Sequence, residues 1–279
     1  MLLKKTIIEI IKEYKITPKK RFGQNFIFDN NVLNKIADTI TPVRDNLIIE
    51  VGPGVGNLTR KLLERKPKNL ILIERDSDFK NILDDLLLFF PKTNTKLIFN
   101  DFLKVEFDKV ELYKNRKVKI ISNLPYYIST QILIKVLPFN ANLLEVIFMF
   151  QKEVADRLLA IPGSKNYSKL TVIVQYCCNI NKICDIKSNV FYPKPEVNSS
   201  LLRFTKKKSV NNQVFSIIKK LVKLAFQKRR KTIKNSLSSI KGIVKILKKL
   251  NIDDKSRAEN LSVKQYTDLA IIIINENLI

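Results

Sequence analysis

The chain has 279 residues, with 51 Lys and Arg against 26 Asp and Glu and a formal net charge of +25. It has no histidine, and its three cysteines (Cys177, Cys178, Cys184) form no Cys-x-x-Cys pair, so neither a zinc site nor histidine-based hydrolysis is expected. No apolar run approaches the ~20 residues of a membrane span, and Glu9 and Glu13 interrupt any signal-peptide core, so a reduced, cytoplasmic protein is expected, long enough for a buried core.

Residues 1–14 read as an amphipathic helix. The first strong strand signal is Leu47-Ile48-Ile49, followed directly by Glu50-Val51-Gly52-Pro53-Gly54-Val55-Gly56, which holds three of the six glycines. Glycine lets a strand turn sharply into a helix and lets the backbone approach a ligand closely. A dinucleotide site would want Gly-x-Gly-x-x-Gly so that a pyrophosphate could sit on the helix N-terminus, but Asn57 stands where the third glycine would be. The acid-x-Gly-x-Gly-x-Gly pattern of Glu50, Gly52, Gly54 and Gly56 resembles motif I of S-adenosylmethionine-dependent methyltransferases. A glycine-rich turn without a ligand is the alternative.

The next strand, Leu70-Ile71-Leu72-Ile73, is continuously apolar, as a buried parallel strand should be, and ends in Glu74. An acid ~20 residues beyond the glycines is placed to accept hydrogen bonds from ribose hydroxyls; a solvated strand-end charge is the other reading. A third strand, Leu97-Ile98-Phe99, leads into Asn100-Asp101-Phe102, where Asp101 either receives an adenine amine or caps the next helix. Three acids at three successive strand ends favour the ligand reading.

A fourth strand, Val118-Lys119-Ile120-Ile121, delivers Asn123-Leu124-Pro125-Tyr126-Tyr127 to the same edge, where ligands of open α/β sheets bind. Pro125 holds Leu124 extended, so the Leu124 carbonyl and the Asn123 side-chain oxygen offer two acceptors to an amino group, and Tyr126 offers a flat face to a base. The tetrad resembles the Asn/Asp-Pro-Pro-Tyr/Phe signature of amino-group methyltransferases; a plain Pro-Asn turn is the alternative. Further strands are expected over 144–150, 170–177 and 200–204, then a polar linker at Lys206-Lys207-Lys208-Ser209 and a helical tail.

Six blocks in order make the resemblance specific: Lys20 to Phe26, the glycine motif, Asn123 to Tyr126, Phe150 to Val154, Phe191-x-Pro193-x-Pro195-x-Val197-x-Ser199, and Ala225-Phe226-x-x-Arg229-Arg230-Lys231-Thr232. From about Lys19 onward the chain is similar to KsgA-type small-subunit ribosomal RNA adenine dimethyltransferases. The resemblance implies an α/β fold: a Rossmann-like class I methyltransferase domain over residues 1–204, followed by a smaller all-helical RNA-recognition domain over 205–279. It implies S-adenosylmethionine as donor and, as acceptors, two adjacent adenosines in a hairpin loop near the 3′ end of small-subunit rRNA, in the immature small subunit.

Carried onto this sequence, the resemblance puts Asn25 and Ile27 beside the methionine end of the donor, with Gln24 helping to close the pocket. Glu50, Gly52, Gly54 and Gly56 would supply the turn beneath the donor. Glu74 would hold the ribose, Asp101 and Phe102 the donor adenine, Asn123 both donor and target, and Phe191 would stack on the target base. Ile27 departs mildly from a common leucine.

The charge distribution points independently to nucleic acid. Residues 204–279 hold 18 Lys and Arg against 5 Asp and Glu, and no acid lies between Glu196 and Asp253. Such a stripe is a phosphate-binding footprint, though a lysine-rich composition raises the count everywhere. Lys228, Arg229, Arg230, Lys231 and Lys234 are assigned to RNA backbone contact, with a solvated helix face as the alternative. No metal and no membrane is called for, and nothing demands more than a monomer. An assembly factor whose RNA binding outweighs catalysis, a large-subunit rRNA methyltransferase and a nicotinamide oxidoreductase are the competing functions.

Overall fold

A computed structural model describes residues 5–19, 23–107, 113, 116–228 and 230–278. In chain order the elements are α1 (Ile7–Glu13), β1 (Phe26–Ile27), α2 (Asn30–Thr39), β2 (Leu47–Val51), α3 (Asn57–Glu64), β3 (Asn69–Glu74), α4 (Lys80–Leu88) and β4 (Asn94–Phe99). They continue with β5 (Val118–Ser122), α5 (Tyr126–Lys135), β6 (Leu143–Gln151), α6 (Lys152–Leu158), α7 (Lys169–Cys177), β7 (Cys178–Ile186), β8 (Phe191–Tyr192) and β9 (Ser199–Lys206). The chain ends in α8 (Asn212–Ala225), α9 (Ile233–Ser236), α10 (Ile243–Lys249) and α11 (Val263–Asn275).

Seven strands form one sheet in the order β4-β3-β2-β5-β6-β9-β7. The first five pair in parallel, and β9 runs antiparallel to β6. Every residue of β2, β3 and β5 is buried, which explains the apolar runs Leu47–Ile49 and Leu70–Ile73: both faces are covered and leave no solvent side to alternate with. The chain lays β3 and β4 on one side of β2, then returns to lay β5 on the other. This reversal opens a crevice at the carboxyl ends of β2 and β5. It is the α/β architecture expected of a class I methyltransferase.

By its internal contacts the chain divides into two compact units, Met1–Lys152 with Asn181–Thr205, and Glu153–Ile180 with Lys206–Ile279. The second unit resumes at Lys206, next to the boundary expected after residue 204, and also takes in a segment assigned above to the first domain. The strand expected over 170–177 is instead the helix α7. Ser168 caps it in a reciprocal capping box with Thr171. Because α7 is buried around most of its circumference, its sequence carries no polar face to betray a helical period. Its Tyr176 ring stacks on Phe215 of α8 with centroids 6.0 Å apart and planes 6° apart, which joins this segment to the C-terminal helices. Phe226 likewise stacks on Tyr266 of α11 at 6.3 Å.

At the N-terminus, the helix expected over 1–14 is α1, capped by Thr6 and Glu9; residues 1–4 lie outside the described residues. Among the described residues no helix is long and apolar enough to cross a membrane.

Candidate active site

The crevice of the first unit is a pocket open to solvent, with about 1050 Å³ of empty space that includes its mouth. It gathers residues from six stretches: 23–27, the turn after β2, and the carboxyl ends of β3, β4 and β5, with α5 behind.

The glycine turn divides its labour. All three glycines have positive φ (Gly52 +67°, Gly54 +56°, Gly56 +79°). A Cβ at Gly52 would meet nothing within 4 Å, so this backbone faces open cleft. A Cβ at Gly54 would come within 2.9 Å of the Phe26 ring, and one at Gly56 within 2.7 Å of Leu86. Gly52 lines the cleft whereas Gly54 and Gly56 do not; they let the turn pack, and Gly56 starts α3. Glu50, one residue before the end of β2, also lines the cleft. It is fully buried and takes a hydrogen bond from Thr59 Oγ1 at 2.7 Å.

Glu74 is not a solvated charge: it is 6% exposed. Its Oε2 accepts the Gly54 amide at 3.0 Å, and its Oε1 accepts the amides of Arg75 and Asp76 at 2.7 and 2.8 Å. Burial raises its pKa, and the three amide bonds oppose that. A carboxylate has about four acceptor sites, so one on Oε2 remains for a ligand hydroxyl. Asp101 serves as a cap: its Oδ1 accepts the Leu103 amide at 2.9 Å at the start of the short turn Phe102–Lys104. Its Oδ2 is 3.8 Å from the Arg75 guanidinium, and the residue lines the cleft. Phe102 is buried beside it and supplies apolar wall.

At the end of β5, Asn123 Nδ2 donates to the Asn25 carbonyl at 3.0 Å. This fixes the amide orientation, because only the amino end can serve a carbonyl acceptor. The Oδ1 end is left as an acceptor, and Asn123 lines the cleft. Pro125 is extended (φ −57°, ψ 131°), and no backbone donor among the described residues is bound to the Leu124 carbonyl. The Tyr126 hydroxyl pairs with Ser199 Oγ at 2.7 Å, which pins its ring. Ile27 is buried beside Phe26 and lines the same cleft, as do Gln24 and Asn25.

Phe191 is not brought into the cleft lining. It pairs with Ile27 across β1 and β8 and is 3% exposed within the hydrophobic core. In the second unit, Lys228, Arg230 and Lys231 are exposed between α8 and α9, and Lys234 pairs with Asp254 at 3.5 Å. Arg229 lies outside the described residues, as do Lys20, Arg21 and Phe22 of the first block.

Sequence reasoning passed over Asp76 and Arg75. Glu-x-Asp at a strand end was the available signal for Asp76, since a two-residue spacing returns the side chain to the same side. Arg75 had none, because its place between Glu74 and Asp101 depends on how β3 and β4 pair.

The profile of the ribosomal RNA adenine dimethylase family matches residues 16–275. The chain belongs to this family. Among the relatives of this ribosomal RNA adenine dimethylase, the ribosomal RNA small subunit methyltransferase A of Buchnera aphidicola subsp. Baizongia pistaciae is 42% identical over 260 residues, 92% of this chain and 97% of that protein. The protein of the same name from Francisella tularensis subsp. novicida is 40% identical over 261 residues, 92% of this chain and 98% of that one. Among solved structures, a dimethyladenosine transferase from Plasmodium falciparum superposes with a TM-score of 0.79 at 25% identity, covering 91% of this chain and 98% of that one. The 23S rRNA methyltransferase ErmE shares the fold, with a TM-score of 0.67 at 21% identity over 88% of this chain and 98% of that one.

The cleft of this adenine dimethylase fits S-adenosylmethionine on three observations. Backbone is open at Gly52 where a bulky ligand must pass, Glu74 retains an acceptor for a hydroxyl, and Phe102 with Ile73 and Val55 offers apolar wall for a base.

Proposed function

We propose that this protein transfers methyl groups from S-adenosylmethionine to N6 of two adjacent adenosines in a hairpin loop near the 3′ end of small-subunit rRNA, giving N6,N6-dimethyladenosine during ribosome biogenesis. Family membership and the names of the curated relatives support the reaction and the substrate. The observation that carries the mechanism is the Asn123 amide in the cleft lining, whose amino end is held by the Asn25 carbonyl so that its oxygen is left to accept.

The donor supplies an electrophilic methyl group on a positively charged sulfur. Glu74 would hold the ribose, Asp101 and Phe102 the adenine, and the open backbone at Gly52 would leave room for the methionine end, with Gln24, Asn25 and Ile27 beside it. On the acceptor side, the N6 lone pair of adenine is delocalised into the ring, so the amine is a poor nucleophile. Asn123 Oδ1 and the Leu124 carbonyl accept its two hydrogens, favour a pyramidal nitrogen and aim the lone pair. Tyr126, pinned by Ser199, gives the base a face to stack on. Positioning carries the rate. No strong base is needed, because the methylated nitrogen is acidic and loses its proton readily, which suits a chain without histidine.

The target base must leave its stack to reach such a cleft, and loop bases leave most cheaply. We assign the helical unit, with Lys228, Arg230, Lys231 and Lys234, to RNA backbone contact, and Arg229 with them by sequence. The reading is of a monomer acting in the cytoplasm on immature small subunits, without a metal ion.

Incubating the protein with labelled donor and small subunits lacking the modification, followed by mass spectrometry of the nucleosides, tests this. Two N6,N6-dimethyladenosines in the expected loop are the predicted result. Label in large-subunit RNA, in protein, or nowhere would sink the assignment.

A further inference from the structure

Asn123 is oriented by a backbone carbonyl, and that carbonyl belongs to a segment that the sheet itself does not hold. Two-residue β1 begins at Phe26, so Asn25 lies just outside any strand. Its own side chain donates to the Gly23 carbonyl at 3.2 Å, and its neighbour ties the segment to the end of β3. Gln24 Oε1 accepts the Lys19 amide at 2.7 Å, and Gln24 Nε2 donates to Asp76 Oδ2 at 2.8 Å, so both ends of the side chain are engaged. Asp76 is 5% exposed, and its other oxygen accepts Lys19 Nζ at 2.7 Å and the Asp78 amide at 3.3 Å. Its own amide donates to Glu74 Oε1 at 2.8 Å. One strand end thus reaches both halves of the cleft: Glu74 on the donor side, and Asp76 through Gln24 and Asn25 to Asn123 on the acceptor side.

We propose that Asp76 is a positioning residue for methyl transfer, which acts through Gln24 to hold the Asn25 carbonyl that orients the Asn123 amide. The proposal rests on the functional reading above. Asp76 touches no reacting atom; its carboxylate is the fixed end of a brace whose free end is the Asn123 oxygen. Burial pushes the Asp76 carboxyl up, but the bonds from Lys19, Gln24 and the Asp78 amide outweigh that and hold it below its ordinary value, so it is anionic and a strong acceptor in the working enzyme. Loss of the brace lets the Asn25 peptide shift, and a displacement of ~1 Å at a positioning group can cost ~10²-fold in rate.

Asp76→Asn tests this selectively. It keeps the backbone amide that serves Glu74, so donor binding should persist, but it sets an amide against the Gln24 amide. The methyl-transfer rate in single turnovers at saturating donor is expected to fall ~10–100-fold, while donor affinity by calorimetry stays near wild type. Adding Gln24→Glu exchanges donor and acceptor across the same pair and should recover most of the rate. A residue that merely stabilised the fold would not be rescued by this exchange. Should Asp76→Asn fail to fold, Gln24→Met removes the brace from the half-buried side, and the same loss of rate at saturating donor, with the same shift of the Asn123 resonances, is expected.

The side-chain amide resonances of Asn123, assigned by comparison with Asn123→Ala, read the brace without any RNA and should shift and broaden in Asp76→Asn. A wild-type rate in Asp76→Asn, a loss confined to donor affinity, a double variant as slow as the single, or unmoved Asn123 resonances would each overturn the proposal. If the wild-type enzyme leaves small-subunit RNA unmodified while the Asn123 resonances still respond, the functional reading fails and the brace stands.

Discussion

The amide of Gly54 donates to Glu74 Oε2 across 3.0 Å, tying the glycine turn after β2 to the acid at the end of β3. These two pieces of the proposed donor pocket are therefore one hydrogen-bonded unit. Glu74→Gln would place an amino group among backbone N–H donors. Losing bonds to a charged acceptor costs about 1.5–3 kcal/mol, which corresponds to ~10–100-fold in affinity. Titration calorimetry with S-adenosylmethionine should show that weakening; an unchanged Kd would remove Glu74 from the donor site.

Glu50 makes stability depend on pH. Burial is the main cause that pushes its carboxyl from about 4.5 up to about 8; the Thr59 hydroxyl opposes this and nearby Glu74 adds to it. Between those values the folded protein keeps a proton that the unfolded chain releases. Stability from this group is therefore present at low pH and falls as pH rises through the window, by at most ~1.4 kcal/mol per pH unit. Glu50→Gln retains an acceptor for Thr59 and cannot ionise. Thermal melts should show the variant gaining on wild type from pH 5 to pH 8, and parallel curves would contradict the buried-acid account.

Asn123→Ala removes the oriented acceptor that the target amine needs. By the scale of removing one preorganised polar group, the rate at saturating donor should fall ~10²–10³-fold. Single-turnover methyl transfer on unmodified small subunits is the measurement, and near-normal turnover would discard the amide grip.

RNA binding should depend steeply on salt. Replacing Lys228, Arg230 and Lys231 with alanine should flatten the plot of log affinity against log salt by ~0.7–0.9 for each phosphate no longer neutralised. Lys234→Ala should matter less, because Asp254 already partly neutralises it. Fluorescence anisotropy with the hairpin RNA across a salt series would measure this, and an unaltered slope would make these lysines and arginines a solvated face.

Much of the cleft was legible in the chain itself. Continuous apolar runs mark strands covered on both faces, and the residues at their carboxyl ends fall at one edge of a parallel sheet whatever the packing details, so Gly52, Glu74, Asp101 and Asn123 were placed by local pattern alone. Contacts between distant segments were not legible. The carbonyl that orients Asn123 lies 98 residues away, and the carboxylate that braces Gln24 lies 52 away. Nothing local encodes such partners. The helical identity of 170–177 was hidden for the related reason that a helix buried all round loses its polar stripe. Periodicity and strand-end residues indicated a parallel α/β sheet with a ligand-binding edge, and the ordered motifs, by resemblance, implied the methyltransferase chemistry. Only the tertiary structure decided which amide faces the cleft, which glycines serve packing, and that Phe191 lies in the core, because those depend on atoms that folding alone brings together.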